Sequence, residues 1–154
     1  MDSFYQKLVA ELRDDPLGRG YAGMTNDQVA GSLNTTDRTL VFQRFGSFRT
    51  LAGVLDDAEY SAVKSVLAQI AQQNAKVADM VELLRLPCDE RGATGGMDFG
   101  DPQVRAFIQA LPDPPITATI KSKVLAIAER RISRAGELGL GRVGPHHVAY
   151  ARTL

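Results

Sequence analysis

The sequence predicts a mainly α protein: a compact single-domain bundle, residues 1–154, of about six or seven short-to-medium helices with at most one tiny β-pair. Three observations predict it. Apolar residues recur at helical spacing in most segments. Two segments begin with a capping side chain followed three residues later by Glu or Gln. Gly and Pro punctuate the intervals between them.

The elements follow in order. Phe4, Leu8 and Leu12, with Tyr5 and Val9, form one stripe, so 3–13 is helical, and Asp14-Asp15-Pro16 ends it because the residue before proline is pushed out of helical angles. Thr25 caps the next helix with Gln28 completing the box, Met24 and Val29 form a hydrophobic staple, and Asn34 stands at its end. Residues 36–45 read equally as a strand, from Thr39, Val41 and Phe42, or as a second short helix. Ser47 caps a helix to Leu55, and Asp56 with Glu59 caps a long helix burying Val63, Leu67 and Ile70. Asn74 recaps the chain for a helix carrying Val77, Val81 and Leu84, ended by Pro87. Asp101-Pro102 opens a helix with Val104, Phe107, Ile108 and Leu111 on one face. Thr117 caps a helix using Ile120, Val124, Ile127 and Ala128; Ser133 starts a short turn; Gly144-Pro145 opens a last helix with Val148 and Ala151 inward. Leu40–Phe45 pairing with Leu140–Val143 is the expected sheet. Loops 14–24 and 87–100 are expected to be the most mobile.

Composition narrows the function. Hydrophobic residues are 44% and charged residues 23%, which suits a globular chain and not a disordered one. Lys+Arg and Asp+Glu balance at 18 each, against a wholly basic nucleic-acid binder. The balance is uneven: from Ala118 onward Lys121, Lys123, Arg130, Arg131, Arg134, Arg142 and Arg152 face only Glu129 and Glu137. Such a patch suits an acidic partner or, as the plainer reading, a solvated helix face. A single cysteine, Cys88, forms no internal disulfide. The N-terminus has no basic start followed by an apolar run, and no stretch reaches the ~20 apolar residues of a membrane span. A soluble protein made in the cytoplasm is expected.

No catalytic motif emerges. Gly92 to Gly96 lacks the lysine of a phosphate loop. Gly18, Gly20 and Gly23 have dinucleotide-loop spacing but follow a helix and a proline instead of a strand. Adjacent His146 and His147 should diverge by ~100° on a helix, too far to chelate one metal. Of the acidic doublets, Asp14-Asp15 and Asp56-Asp57 sit at helix boundaries, and Asp89-Glu90 lies in a loop. The expectation is no enzyme, no cofactor and no metal. One binding alternative is a helix-turn-helix over 25–45, with Arg38 and Arg44 approaching DNA. Thr35 in place of an apolar turn residue, and apolar Val41, Phe42 and Phe45 on the recognition helix, count against it.

The stretch D-P-L-G-R-G-Y-A-G-M-T-N-D-Q-V-A-G-S-L-N, 15–34, resembles the opening of a group of small proteins of tailed bacteriophages, encoded among virion-structural genes. The ending I-S-R-A-G-E-L-G-L-G-R-V-G-P-H-H-V-A-Y-A-R, 132–152, is similar to how they close, and D-F-G-D-P-Q-V-R-A-F-I-Q-A, 98–110, matches their middle more loosely. Together these cover about a third of the chain; 38–74 departs most. The resemblance implies a virion or virion-assembly component: capsid decoration, a head–tail junction or a tail protein. It implies location in the particle, contacts with other virion proteins or copies of itself, and no catalytic residues. Arg19, Tyr21, Arg130, Arg131, Arg134 and Arg142 are the expected protein-contact residues. A small phage protein that binds and inhibits a host enzyme is the remaining alternative.

Overall fold

The computed structural model describes residues 2–87 and 95–154. About 60% of the described residues are helical, in nine helices, where six or seven are expected. In chain order the elements are α1 (Ser3–Asp14), α2 (Asn26–Asn34), β1 (Arg38–Val41), β2 (Phe45–Gly46), α3 (Phe48–Val54), α4 (Asp57–Ala71), α5 (Ala75–Arg85), β3 (Met97–Asp98), α6 (Pro102–Gln109), α7 (Ala118–Leu125), β4 (Glu129–Ile132), α8 (Arg134–Glu137) and α9 (Pro145–Ala151). Short 3₁₀ turns occupy Tyr21–Gly23 and Ala126–Ala128. Part of the excess over the expected count is α8, a single turn capped by Ser133.

The helix starts follow the side chains that write them. Thr25 accepts the Gln28 N–H at 3.2 Å and Gln28 accepts the Thr25 N–H at 2.9 Å. Asp56 and Glu59 repeat this at 2.8 and 3.0 Å. Asn74, Asp101, Thr117 and Ser133 each accept a first-turn N–H. Each such cap stabilises its helix by roughly 1 kcal/mol. Asp15 ends α1 in the left-handed region, φ 41°, just before Pro16.

Two compact units make up the chain, each with its own apolar core. Unit 1 comprises Met1–Leu40 and Arg131–Leu154; unit 2 is Val41–Arg130. The core of unit 1 centres on Leu8, Leu33, Val29, Val143 and Val148, all essentially inaccessible, with Tyr21 among them. Its two separated stretches are stitched by Asn34. The Asn34 amide donates to the Val143 carbonyl at 2.6 Å and its oxygen accepts the Val143 N–H at 2.9 Å.

Unit 2 packs α3–α7 around Leu51, Leu84, Phe99, Ile116 and Ile127, each at most 4% exposed. Ile108, Leu111, Ile120 and Val124 join them, as their spacing predicts. A small apolar cavity of about 30 Å³ remains among Leu51, Val63, Leu84, Phe99 and Ile120. Two glycines are required here by close approach. A Cβ at Gly46 would meet the Phe99 ring at 2.6 Å, and one at Gly100 would overlap the Phe42 carbonyl.

Two expectations about the strands are corrected. Residues 38–41 are a strand, so the second helix of a helix-turn-helix is not there. β-Branched Thr39 and Val41 favour extended backbone. β1 pairs with β4 at 129–132, not with 140–143, and β2 pairs antiparallel with β3, Phe45 opposite Asp98 and Gly46 opposite Met97. β4 is invisible in the sequence because Glu-Arg-Arg-Ile has neither β-propensity nor alternation; ladder pairing overrides local preference there.

Candidate interaction surface

The residues singled out in the sequence are mostly committed inside the molecule. Tyr21 is 1% exposed, a core residue and not a surface contact. Its hydroxyl donates to Glu11 Oε1 at 3.2 Å. Glu11 is buried and receives Arg134: Nε to Oε1 at 2.9 Å and Nη2 to Oε2 at 2.9 Å. Arg134 also donates to Glu137 at 2.6 Å, and Glu137 accepts Arg38 Nε at 3.1 Å. A chain Tyr21–Glu11–Arg134–Glu137–Arg38 therefore runs through unit 1. Sequence reasoning missed Glu11, because a glutamate in a helix ordinarily faces water.

The protonation preferences follow from these contacts. Hydrogen bonds donated to Glu11, then those donated to Glu137, raise the Arg134 guanidinium well above its ordinary value and keep it charged despite burial. Hydrogen bonds from Arg134 and Arg38 hold the Glu137 carboxyl below the usual glutamate range. Burial, reinforced by the Glu11 charge, pushes the Tyr21 phenol up to about 12.

Arg19 is half-buried and likewise engaged by its own chain. Its guanidinium donates to the Ser32 carbonyl at 2.8 Å and to Asp37 at 3.0 Å. The loop before it is held by Asp15, whose carboxylate accepts the N–H groups of Arg19 and Gly20, both at 2.7 Å. Gly20, at φ 80°, makes that turn in the left-handed region. Arg131 donates to the Thr36 carbonyl, Arg130 lies over the Phe42 ring at 5.9 Å, and Arg142 is exposed. Arg44 donates to the Ile127 carbonyl at 3.2 Å. In unit 2, Lys123 pairs with Glu59 at 2.8 Å. Of the basic C-terminal quarter, Lys123 and Arg134 meet carboxylates, Lys121, Arg131 and Arg152 donate to carbonyls of their own chain, and Arg130, Arg131 and Arg142 stay exposed. Cys88 and Asp89-Glu90 lie outside the described residues.

What unit 1 does present is aromatic. Tyr5 of α1 meets Tyr150 of α9 edge-on, centroids 4.8 Å apart, and Phe4 meets His147 at 5.0 Å. Edge-to-face pairs at these spacings add roughly 0.5–1.5 kcal/mol beyond area burial. Tyr150 is 52% exposed. His146 and His147 do not diverge as expected: their ring centroids are 3.9 Å apart. His147 Nδ1 accepts the Gly144 N–H at 2.9 Å, which turns its ring back along the helix start. The His146 ring lies over Gly144, where any Cβ would meet it at 2.5 Å. Among the described residues no group of three His, Cys, Asp or Glu is placed to hold a metal ion, and no helix is long and apolar enough to cross a membrane.

One turn along α1 from Tyr5, the same two helices border a groove of about 330 Å³. Val9, Leu12, Tyr21, Ala151 and Leu154 line it together with Arg13 and Arg152. In the sequence, Val9, Leu12 and Ala151 read as core positions, Tyr21 as a contact residue and Arg152 as one of the basic C-terminal residues. The signal available was the exposed Tyr150 beside a helix already supplied with inward Val148 and Ala151.

No family model, no curated protein and no solved structure matches the chain.

Proposed function

We propose that the chain is a non-enzymatic structural or assembly protein of a tailed-bacteriophage particle, serving in capsid decoration, at the head–tail junction or in the tail. It is made in the host cytoplasm and acts in the virion through contacts with other virion proteins or copies of itself. One observation carries this reading. The two stretches that most resemble phage proteins, 15–34 and 132–152, lie far apart in sequence yet belong to one unit, joined by Asn34–Val143. That unit displays the Tyr5–Tyr150 aromatic face. Tyrosine and arginine at a surface are the side chains most enriched where proteins meet, because each offers large contact area with a polar end.

The motif residues then have architectural work. Asp15 shapes the glycine loop, Arg19 ties it to α2, and Tyr21 anchors the buried ion pair. Mass spectrometry of purified particles of the encoding phage tests the proposal. Stoichiometric presence of the chain is expected. Its absence from particles, with co-purification of one host protein instead, would replace this reading with host-enzyme binding.

A further inference from the structure

The groove beside the aromatic face has a specific polar feature. Arg152 is locked by three hydrogen bonds: Nη1 to Asn26 Oδ1 at 2.8 Å, and Nη2 to the Tyr21 carbonyl at 2.7 Å and the Met24 carbonyl at 2.9 Å. A guanidinium has five N–H donors, so two remain. All three acceptors are neutral, and the positive charge is left uncompensated by them. Arg13, which also lines the groove, differs: Asp14 pairs with it at 2.9 Å. The groove therefore combines apolar walls, half-exposed Leu154 among them, with one pre-oriented cation holding spare donors.

Those properties select an occupant by charge complementarity. An aliphatic or aromatic side chain fits between Val9, Leu12 and Leu154. A carboxylate satisfies Arg152 in a charge-assisted hydrogen bond, stronger than a neutral one. The Arg152 side chain is already held, so little of its rotamer entropy remains to be lost on binding.

We infer that the groove of unit 1 docks a short acidic segment of a partner protein, a Leu or Phe beside an Asp or Glu, with the carboxylate on Arg152. This rests on reading the α1–α9 face as a protein-contact surface. It does not depend on the partner's being in a phage particle.

The test uses the full chain, ¹⁵N-labelled, titrated with an end-capped alanine-based peptide bearing adjacent Leu, Phe and Glu, and with its Gln counterpart. Amide shifts are expected at Ala22, Ala151, Arg152 and Leu154, with the Glu peptide binding about tenfold tighter than the Gln peptide. Leu154→Glu, at an exposed wall position, is expected to abolish binding while leaving the remaining spectrum in place. Arg152→Gln should erase the Glu preference, but it also frees the Tyr21 and Met24 carbonyls, so Leu154→Glu is the decisive variant. Equal affinity for the two peptides, shifts confined to unit 2, or no shifts at all would overturn the inference. Peptide binding by a chain missing from purified particles would leave the groove standing and remove the particle reading alone.

Discussion

Glu11→Gln removes one charge from a pair whose two side chains are only 2% and 13% exposed. The Arg134 guanidinium is then left with Glu137 alone, and the Tyr21 hydroxyl loses a charged acceptor. Deleting one partner of a buried ion pair costs about 3–5 kcal/mol. Because Glu137 stays against Arg134, the low end applies, about 3 kcal/mol. With a urea dependence of about 2 kcal/mol per molar, the unfolding midpoint falls by roughly 1.5 M. Urea titration followed by far-ultraviolet circular dichroism measures this directly. Glu82→Gln is the control: its pair with Arg85 is 71% and 65% exposed, and a loss under about 0.5 kcal/mol is expected. The triple variant Glu11→Leu, Arg134→Met, Tyr21→Phe removes every polar member that would be left unpaired, and should return to within about 1 kcal/mol of the parent. A Glu11→Gln shift no larger than that of Glu82→Gln would mean that the buried Glu11–Arg134 pair carries no more stability than an exposed one.

Stability should fall at both pH extremes. The Glu137 carboxyl is held below its ordinary 4.5 by Arg134 and Arg38, so its contribution is complete above about pH 4.5 and is lost on acidification through its folded value. The Tyr21 phenol is raised from 10.0 to about 12, so its contribution is complete below pH 10 and is lost as pH rises through about 12. Phenolate absorbance should show one of the four tyrosines ionising only as the chain unfolds. Asn34→Ala strands the Val143 N–H and carbonyl and should cost roughly 2–3 kcal/mol, read as a lowered urea midpoint. Gly31 and Gly100 should respond oppositely to alanine. Gly31 sits within α2 with nothing near its absent Cβ, and gains roughly 0.5–1 kcal/mol; Gly100 faces the Phe42 carbonyl and loses more than about 2 kcal/mol. Thermal melts of the two variants decide it.

Local signals carried most of the helices. Thr25–Gln28, Asp56–Glu59 and Asp101-Pro102 each write a helix start in side-chain chemistry that acts within one turn, so no tertiary knowledge is needed. β4 was not legible, because Glu129-Arg130-Arg131-Ile132 becomes a strand only through a partner ninety residues away in sequence. Three of the six expected contact residues take internal partners for a related reason. Arg19, Arg134 and Tyr21 look like a basic, aromatic surface, but acceptors brought by the fold (Ser32, Glu11, Glu137) draw them inward. The exposed face falls to Tyr5, Tyr150 and the histidines, whose mutual packing depends on α1 and α9 meeting.

We propose that the α1–α9 face makes the protein's contacts in a phage particle. A photoreactive phenylalanine analogue in place of Tyr150, in the encoding phage, tests it most directly, with the same analogue at Lys76 in unit 2 as comparison. Irradiated particles should show position 150 joined to a virion protein or to another copy of the chain, and position 76 far less. Crosslinks from position 76 alone, or particles in which the chain is not found, would contradict it.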